Sequence, residues 1–352
     1  MERDNTAALV DQVREASARR VPLRIAGGDT KRFYGRAIEG IALETREHRG
    51  LLRHDPAELV LTARAGTPLA EIETALASKG QRLPFEPPHF GPGATLGGTV
   101  ACGLSGPARA WSGPLRDFVL GVRVLTGDGR VLRFGGEVMK NVAGYDVARL
   151  MAGSLGILGV LLDVSLKVLP LPAAERTLAL EMDEALALTR LAELARSALP
   201  LSAGSWIDGR AYLRFGGSEA TLDEIQRRLG GEVIPGSRAF WNGLREQSHP
   251  FFAGDAPLWR CTVPPLSSRL SLAGTPLIEW NGQQRWYRCP PGVTAFEAAA
   301  AVGGHATLFR HAAANVDVFS PLPPVMLRLH RALKREFDPA GILNPGRMYA
   351  DL

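Results

Sequence analysis

Cysteine is scarce in this 352-residue chain: Cys102, Cys261 and Cys289 stand far apart and are odd in number. No Cys-x-x-Cys pair occurs, so neither a zinc site nor an iron–sulfur cluster is expected from this chain alone. A disulfide framework is likewise excluded, and a reducing cytoplasm is the expected compartment. The histidines, His48, His54, His89, His249, His305, His311 and His330, include no His-x-x-x-His pair, and no metal centre is marked. Long apolar runs are also missing. The longest, residues 150–162, is interrupted by Gly153, Gly156 and Gly159 and stops at Asp163, short of the roughly 20 residues that span a bilayer. The start, Met1-Glu2-Arg3-Asp4-Asn5, has no apolar core of a signal peptide. The net charge is +5, but the arginines are scattered among acidic residues. That pattern excludes the dense basic stripe of a nucleic-acid binder. No Ser/His/Asp or Cys/His nucleophile arrangement stands out.

Glycine is what the chain has in quantity, 39 residues of it, and two segments concentrate it. The first is Arg24-Ile25-Ala26-Gly27-Gly28-Asp29-Thr30-Lys31, and the second runs from Gly91 through Ala94-Thr95-Leu96-Gly97-Gly98-Thr99-Val100-Ala101 to Ser105-Gly106. Glycine lets a backbone approach a diphosphate closely, and successive N–H groups can converge on the anion. Two such segments, the first preceded by strand-like sequence and both interleaved with Ser or Thr, predict one long dinucleotide held from two sides. The first is not a Gly-x-Gly-x-x-Gly fingerprint, because no helix-forming run follows Gly28, and it lacks the Gly-Lys-Ser/Thr of a Walker loop.

The periodicity predicts a helix over 6–20, strands over 23–26 and 58–65, and a helix capped by Thr67 with Pro68 first and Gly80 after its end. Strands over 119–126 and 131–134 read as a hairpin through Gly127-Asp128-Gly129. A short helix over 144–152 and a buried strand over 157–169 follow, closed by a Pro170-Leu-Pro172 linker. From 176 to 234 the order is β-α-β-β-α-β, with Thr221-x-x-Glu224 as a capping box. The same order can be read again from 258 to 309, with a helix over 266–273. Either two ferredoxin-like halves or one irregular α+β unit fits. A last helix over 323–337 carries Val325, Leu329 and Leu333 on its apolar face and returns the tail to the first domain.

These residues carry a resemblance. Gly-Gly-Asp-Thr-Lys at 27–31, Ala-Thr-Leu-Gly-Gly-Thr-Val-Ala at 94–101 and Gly153-Ser-Leu-Gly156-Ile-Leu-Gly-Val160 resemble the vanillyl-alcohol-oxidase, or PCMH-type, FAD-binding domain. The tail Phe337-Asp-Pro-Ala-Gly-Ile-Leu-Asn344-Pro-Gly-Arg347 resembles the C-terminal signature of FAD-linked 2-hydroxy-acid oxidases. Lys140-Asn-Val-Ala-Gly144-Tyr-Asp146 and Arg149-Leu-Met-Ala-Gly153-Ser-Leu-Gly156 resemble the FAD-binding subunits of glycolate oxidase complexes. The resemblance implies an α+β chain with three parts. A two-subdomain PCMH-type FAD-binding domain covers 1–172, a ferredoxin-like α+β cap 173–322, and a C-terminal helix and tail 323–352.

It also implies the cofactor contacts. Ala26, Gly27, Gly28, Asp29, Thr30 and Lys31 would cradle FAD from one side. Thr95, Leu96, Gly97, Gly98 and Thr99 would approach from the other, with Ser105, Gly106 and Arg109 toward the flavin. Gly156, Ile157 and Val160 would pack on the adenosine, with Asn344 delivered by the tail. Asp29 stands where covalent relatives carry histidine, so FAD is expected to be non-covalent, with Asp29 capping its own loop. The expected activity is oxidation of glycolate, a 2-hydroxy acid, to glyoxylate, with electrons passed to a second FAD-linked oxidase subunit and an iron–sulfur subunit. The expected location is cytoplasmic, peripheral at the inner membrane through those partners. His249, in Gln247-Ser-His-Pro-Phe-Phe252, is the one catalytic candidate. No base with an arginine for a substrate carboxylate can be read from the chain. Trp241, Phe251 and Phe252 read either as a docking surface for a partner or as packing between the two halves, and Trp241 and Arg245 could share the surface of His249. A free-standing hydroxy-acid or sugar-lactone dehydrogenase and a non-catalytic flavin subunit are the alternatives.

Overall fold

The computed structural model describes residues 2–136, 145–311 and 316–352. The chain opens with helix α1, Thr6–Arg19, whose Leu9, Val10, Val13 and Ala16 form one buried stripe. That stripe packs on β1 (Leu23–Ala26) and β2 (Ile41–Glu44), a parallel pair, through Leu23 and Leu43, with Leu343 from the tail. Next come β3 (Leu51–Asp55), β4 (Val60–Arg64), α2 (Leu69–Ala77), β5 (Gln81–Arg82), α3 (Leu96–Cys102) and α4 (Arg109–Ser112). Thr67 does not cap α2. Its hydroxyl is taken by the Gly50 backbone, accepting from N at 2.9 Å and donating to O at 3.2 Å. The helix starts only after Pro68.

Then follow β6 (Val119–Leu125), β7 (Val131–Gly135), α5 (Val147–Met151), β8 (Val160–Lys167) and β9 (Leu169–Pro170). The expected start of α5 at Gly144, and the run Lys140–Gly144, lie outside the described residues. β3, β4, β8, β6 and β7 form an antiparallel five-stranded sheet in that order. β8 is buried along nearly its whole length because it is central, with β4 and β6 as neighbours and α3 against it. β5 pairs with β9, so the proline segment is a short edge strand rather than a free linker.

The second region contains β10 (Ala174–Glu181), α6 (Glu184–Ala195), β11 (Leu201–Ile207), β12 (Arg210–Gly217), α7 (Glu219–Leu229), β13 (Glu232–Val233) and α8 (Arg238–Arg245). It continues with β14 (Leu258–Thr262), β15 (Leu277–Glu279), β16 (Gln284–Arg288), α9 (Phe296–Ala300) and β17 (His305–Arg310). All eight strands join one sheet, ordered β13-β10-β12-β11-β15-β16-β14-β17. Each half carries the ferredoxin-like strand order, and the halves meet at β11 and β15, the same edge of each.

Two sequence readings fail here for local reasons. The α7 cap is Ser218, whose hydroxyl accepts from Thr221 N at 3.2 Å, so Thr221 lies inside the helix. No helix covers 266–273. Pro264 and Pro265 precede Leu266, which sits at φ 61°, and fully buried Arg285 holds the carbonyls of Ser267 and Ser268 at 2.6 and 2.7 Å. Those carbonyls are therefore engaged by a side chain instead of a helical ladder.

The last helix, α10 (Pro324–Phe337), buries Lys334 and Phe337. Val325 and Leu329 are 57% and 54% exposed, contrary to their reading as a packed face. Lys334 Nζ donates to Ile157 O (2.9 Å), Leu343 O (2.6 Å) and Asp338 (2.7 Å). This pins the tail to the first region. Among the described residues, no helix is long and apolar enough to cross a membrane.

Candidate functional site

The two glycine segments meet. An added Cβ on Gly28 would fall 1.4 Å from Gly93 O, and one on Gly27 2.4 Å from Thr95 Oγ1. Gly97 is equally tight, 2.7 Å from Ala65 Cβ. At these three positions glycine is required by backbone against protein, not only by backbone against a ligand. Gly98 differs: a Cβ there meets only Thr95 Oγ1 at 3.3 Å and points into open space. That space is a groove lined by both glycine segments.

Gly27, Gly28, Asp29, Thr30 and Lys31 line the groove on one side, and Thr95, Gly97, Gly98, Ala101 and Cys102 on the other. Gly156, Val160 and Asn344 close one end. Asn344, at φ 43°, accepts from Ile25 N at 2.8 Å and donates to Leu155 O at 2.7 Å. The tail thereby ties both walls together. Arg347, read from the sequence only as part of the tail signature, also lines the groove. Its guanidinium donates to the carbonyls of Arg32, Tyr34 and Arg36 at 2.7–2.8 Å, fixing the loop after Lys31. Burial holds both Lys31 and Arg347 below the usual range of their side chains, so their charges face the groove poorly solvated.

Other expected contacts lie elsewhere. Ala26 is buried, with its carbonyl taken by Thr45 N. Leu96 and Ile157 point into the core of the five-stranded sheet. Thr99 is buried beside the groove, and its hydroxyl has no partner among the described residues. Arg109 stacks on Trp280, 4.4 Å from the ring centroid. Asp29 does not cap its own loop: at φ 56° its carboxylate turns back to Arg24 at 3.2 Å. His249 caps the turn at Pro250, accepting from Phe251 N at 3.2 Å. Trp241 and Phe252 are buried in the cluster between the two regions, and Trp241 donates to Thr177 Oγ1 at 2.9 Å. Of the two readings the packing one holds: the Trp241 ring lies under the Arg214 guanidinium of β12 and the Phe252 ring against Trp286 of β16.

Ser105 and Gly106 line a second, smaller cavity, between the end of the second glycine segment and the eight-stranded sheet. Arg260, Glu279, Gln284 and Trp286 line it from the sheet. Sequence reading passed over all four. Glu279 is only 3% exposed and accepts from Trp286 Nε1 at 2.8 Å and Gln284 Nε2 at 2.9 Å. Burial pushes its carboxyl up to about 7 against these two donors, with Glu86 adding in the same sense. Among the described residues, no cluster of His, Cys, Asp and Glu is placed to hold a metal.

The groove and the fold can now be set beside known proteins. Over 350 residues, 99% of both chains, the sequence is 48% identical to the glycolate oxidase subunit GlcE of Escherichia coli (strain K12). The chain belongs to the FAD-linked oxidases, in the family of that subunit. The family models agree: "FAD binding domain" matches residues 2–135 and "FAD linked oxidases, C-terminal domain" residues 320–348. The glycolate oxidase subunit GlcD of Bacillus subtilis (strain 168) is 32% identical over 164 residues, 46% of this chain and 35% of that protein. A D-lactate dehydrogenase of Archaeoglobus fulgidus is 32% identical over 194 residues, 53% of this chain and 42% of its own. An alkyldihydroxyacetonephosphate synthase structure shares the fold with TM-score 0.67 at 16% identity, covering 96% of this chain and 75% of that one. The cofactor of this FAD-linked oxidase is FAD. The groove fits it: two backbones converge on it, and Lys31 and Arg347 add positive charge to its lining.

Proposed function

We propose that this chain is the FAD-binding subunit of a glycolate-oxidising complex, taking glycolate to glyoxylate and passing electrons to partner subunits. The observation that carries this reading is the full-length kinship with a glycolate oxidase subunit, joined to a groove built by both glycine segments. When bound, FAD supplies two-electron acceptance, and the protein supplies position and charge. In this reading residues 1–172 with the tail hold the cofactor, and 173–322 cover it. Gly27 to Lys31, Thr95, Gly97 and Gly98 flank the diphosphate, and Gly156, Val160 and Asn344 border the adenosine. Asp29 offers no histidyl nitrogen, so the flavin is held without a covalent bond. A second FAD-linked subunit and an iron–sulfur subunit complete the chain of electron carriers.

Reconstitution tests this. Partner subunits are purified with and without this chain, and glycolate-dependent reduction of an artificial acceptor is followed. The expected result is a rate that requires this chain. A full rate from the partners alone makes it a bystander; a full rate from this chain alone makes it a free-standing dehydrogenase.

A further inference from the structure

The smaller cavity is built by sheet register. On β16, Gln284 and Trp286 point to one face, being two residues apart. Arg260 on β14 stands opposite Trp286, and Glu279 on β15 stands opposite Gln284. All four side chains therefore share that face, with Arg260 and Glu279 on the strands flanking β16. Two strand spacings, about 10 Å, separate their backbones. Two long side chains reach toward each other across that distance, and the cavity they line is small.

The polar atoms facing this cavity are incompletely used. Arg260 donates through Nη2 to Tyr34 Oη at 2.9 Å, while its buried Nε has no partner among the described residues. Arg260 also forms no ion pair there, its guanidinium lying over Tyr34 and Phe309 instead. Both donors to Glu279 reach Oε2, and Oε1 accepts no bond among the described residues. Gln284 Oε1 is buried and unpartnered. A cation at one end and a free carboxylate oxygen at the other match a short molecule with an anionic end and a hydroxyl end. The cavity also adjoins the groove: Cys102 faces the groove and Leu104 the cavity, two residues along one segment.

We propose that this cavity binds a small 2-hydroxycarboxylate, with Arg260 Nε donating to its carboxylate and Glu279 Oε1 accepting from its hydroxyl. The assignment rests on the reading of this chain as a glycolate-oxidising flavin subunit. It supplies the base and the arginine that the sequence did not mark. Oxidising the alcohol carbon removes two electrons and two protons: FAD, when bound, would supply acceptance of the electron pair with one hydrogen, and the hydroxyl proton passes to Glu279 Oε1. Arg260 and Glu279 thus both touch the substrate, one to hold it and one to accept its proton.

The test uses the FAD-loaded complex. Binding is measured by calorimetric titration with glycolate after the flavin has been chemically reduced, so no turnover occurs, and kcat and KM are measured separately. Loss of a charged hydrogen bond predicts that Arg260→Met weakens glycolate binding roughly 10- to 100-fold, with partial recovery in Arg260→Lys, which keeps charge but not the planar donor. Glu279→Gln keeps an acceptor for Trp286 and Gln284, so binding changes little, while kcat falls about 100-fold or more. Flavin content and circular dichroism matching wild type show that each variant is folded; if Arg260→Met is not, Arg260→Lys carries the test. Glycolate oxidation by the wild type with unchanged binding and turnover in all three variants overturns this site and leaves the function standing. Binding of D-lactate that depends on Arg260, without glycolate turnover, keeps the site and overturns the glycolate reading. If neither acid binds the wild type, the site is rejected.

Discussion

Replacing Glu279 by Gln should make the protein more stable, and only above a definable pH. Glu279 is buried, with two neutral donors and, among the described residues, no cation paired with it. Burial raises its carboxyl from 4.5 to about 7, which corresponds to about 3 kcal/mol of differential stability. Below pH 4.5 the group is protonated in both folded and unfolded chains and contributes no difference. Between 4.5 and 7 the unfolded chain loses the proton while the folded one keeps it, so the folded state binds more protons and stability falls as pH rises. Above 7 the loss is complete. Glu279→Gln removes this titration, preserves an acceptor for Trp286 and Gln284, and places a new donor beside the unpartnered Gln284 Oε1. The stability difference between variant and wild type, from urea unfolding of the flavin-free proteins followed by tryptophan fluorescence, should be near zero at pH 4.5. It should grow to about 3 kcal/mol in favour of the variant by pH 8. A difference that does not change with pH would refute the reasoning. A buried carboxylate that lowers stability at working pH is the pattern of a residue kept for function.

Three further outcomes are expected. Gly98→Val projects a side chain into the groove past Thr95 Oγ1; flavin content should fall toward zero while circular dichroism stays unchanged, and retained flavin would show that the second segment does not face the cofactor. Acid precipitation of the yellow protein should leave its flavin in the supernatant, whereas flavin sedimenting with the chain would contradict the consequence drawn from Asp29. Lys334→Met strips the buried Asp338 of its cation and should destabilise the protein by roughly 3–5 kcal/mol in urea unfolding; Lys334→Met combined with Asp338→Asn should lose less than Lys334→Met alone.

Local signals carried most of the first region. The stripe of Leu9, Val10, Val13 and Ala16, the strand at 23–26 and the glycine segments are short-range patterns, and the structure uses them where they occur. The β-α-β-β-α-β order of 174–233 was equally legible from strand and helix periods. Readings failed where a distant group outcompeted the local one: Gly50 takes the Thr67 hydroxyl, and Arg285 takes the carbonyls of 267 and 268. The small cavity was invisible for the same reason. Arg260 and Glu279 are 19 positions apart on separate strands and meet only through β16. A charged residue inside each of two otherwise apolar strands was the available signal. Docking surface and packing were both open for Trp241 and Phe252, because aromatic segments look alike in sequence whether they face solvent or the opposite region.

The most direct test is anaerobic addition of glycolate to the complex containing wild-type chain and to one containing Gly98→Val, reading flavin content and flavin bleaching together. The account predicts that the variant complex assembles with less flavin than wild type and loses glycolate-dependent bleaching and turnover. A variant complex with the full flavin complement and the wild-type rate would contradict it.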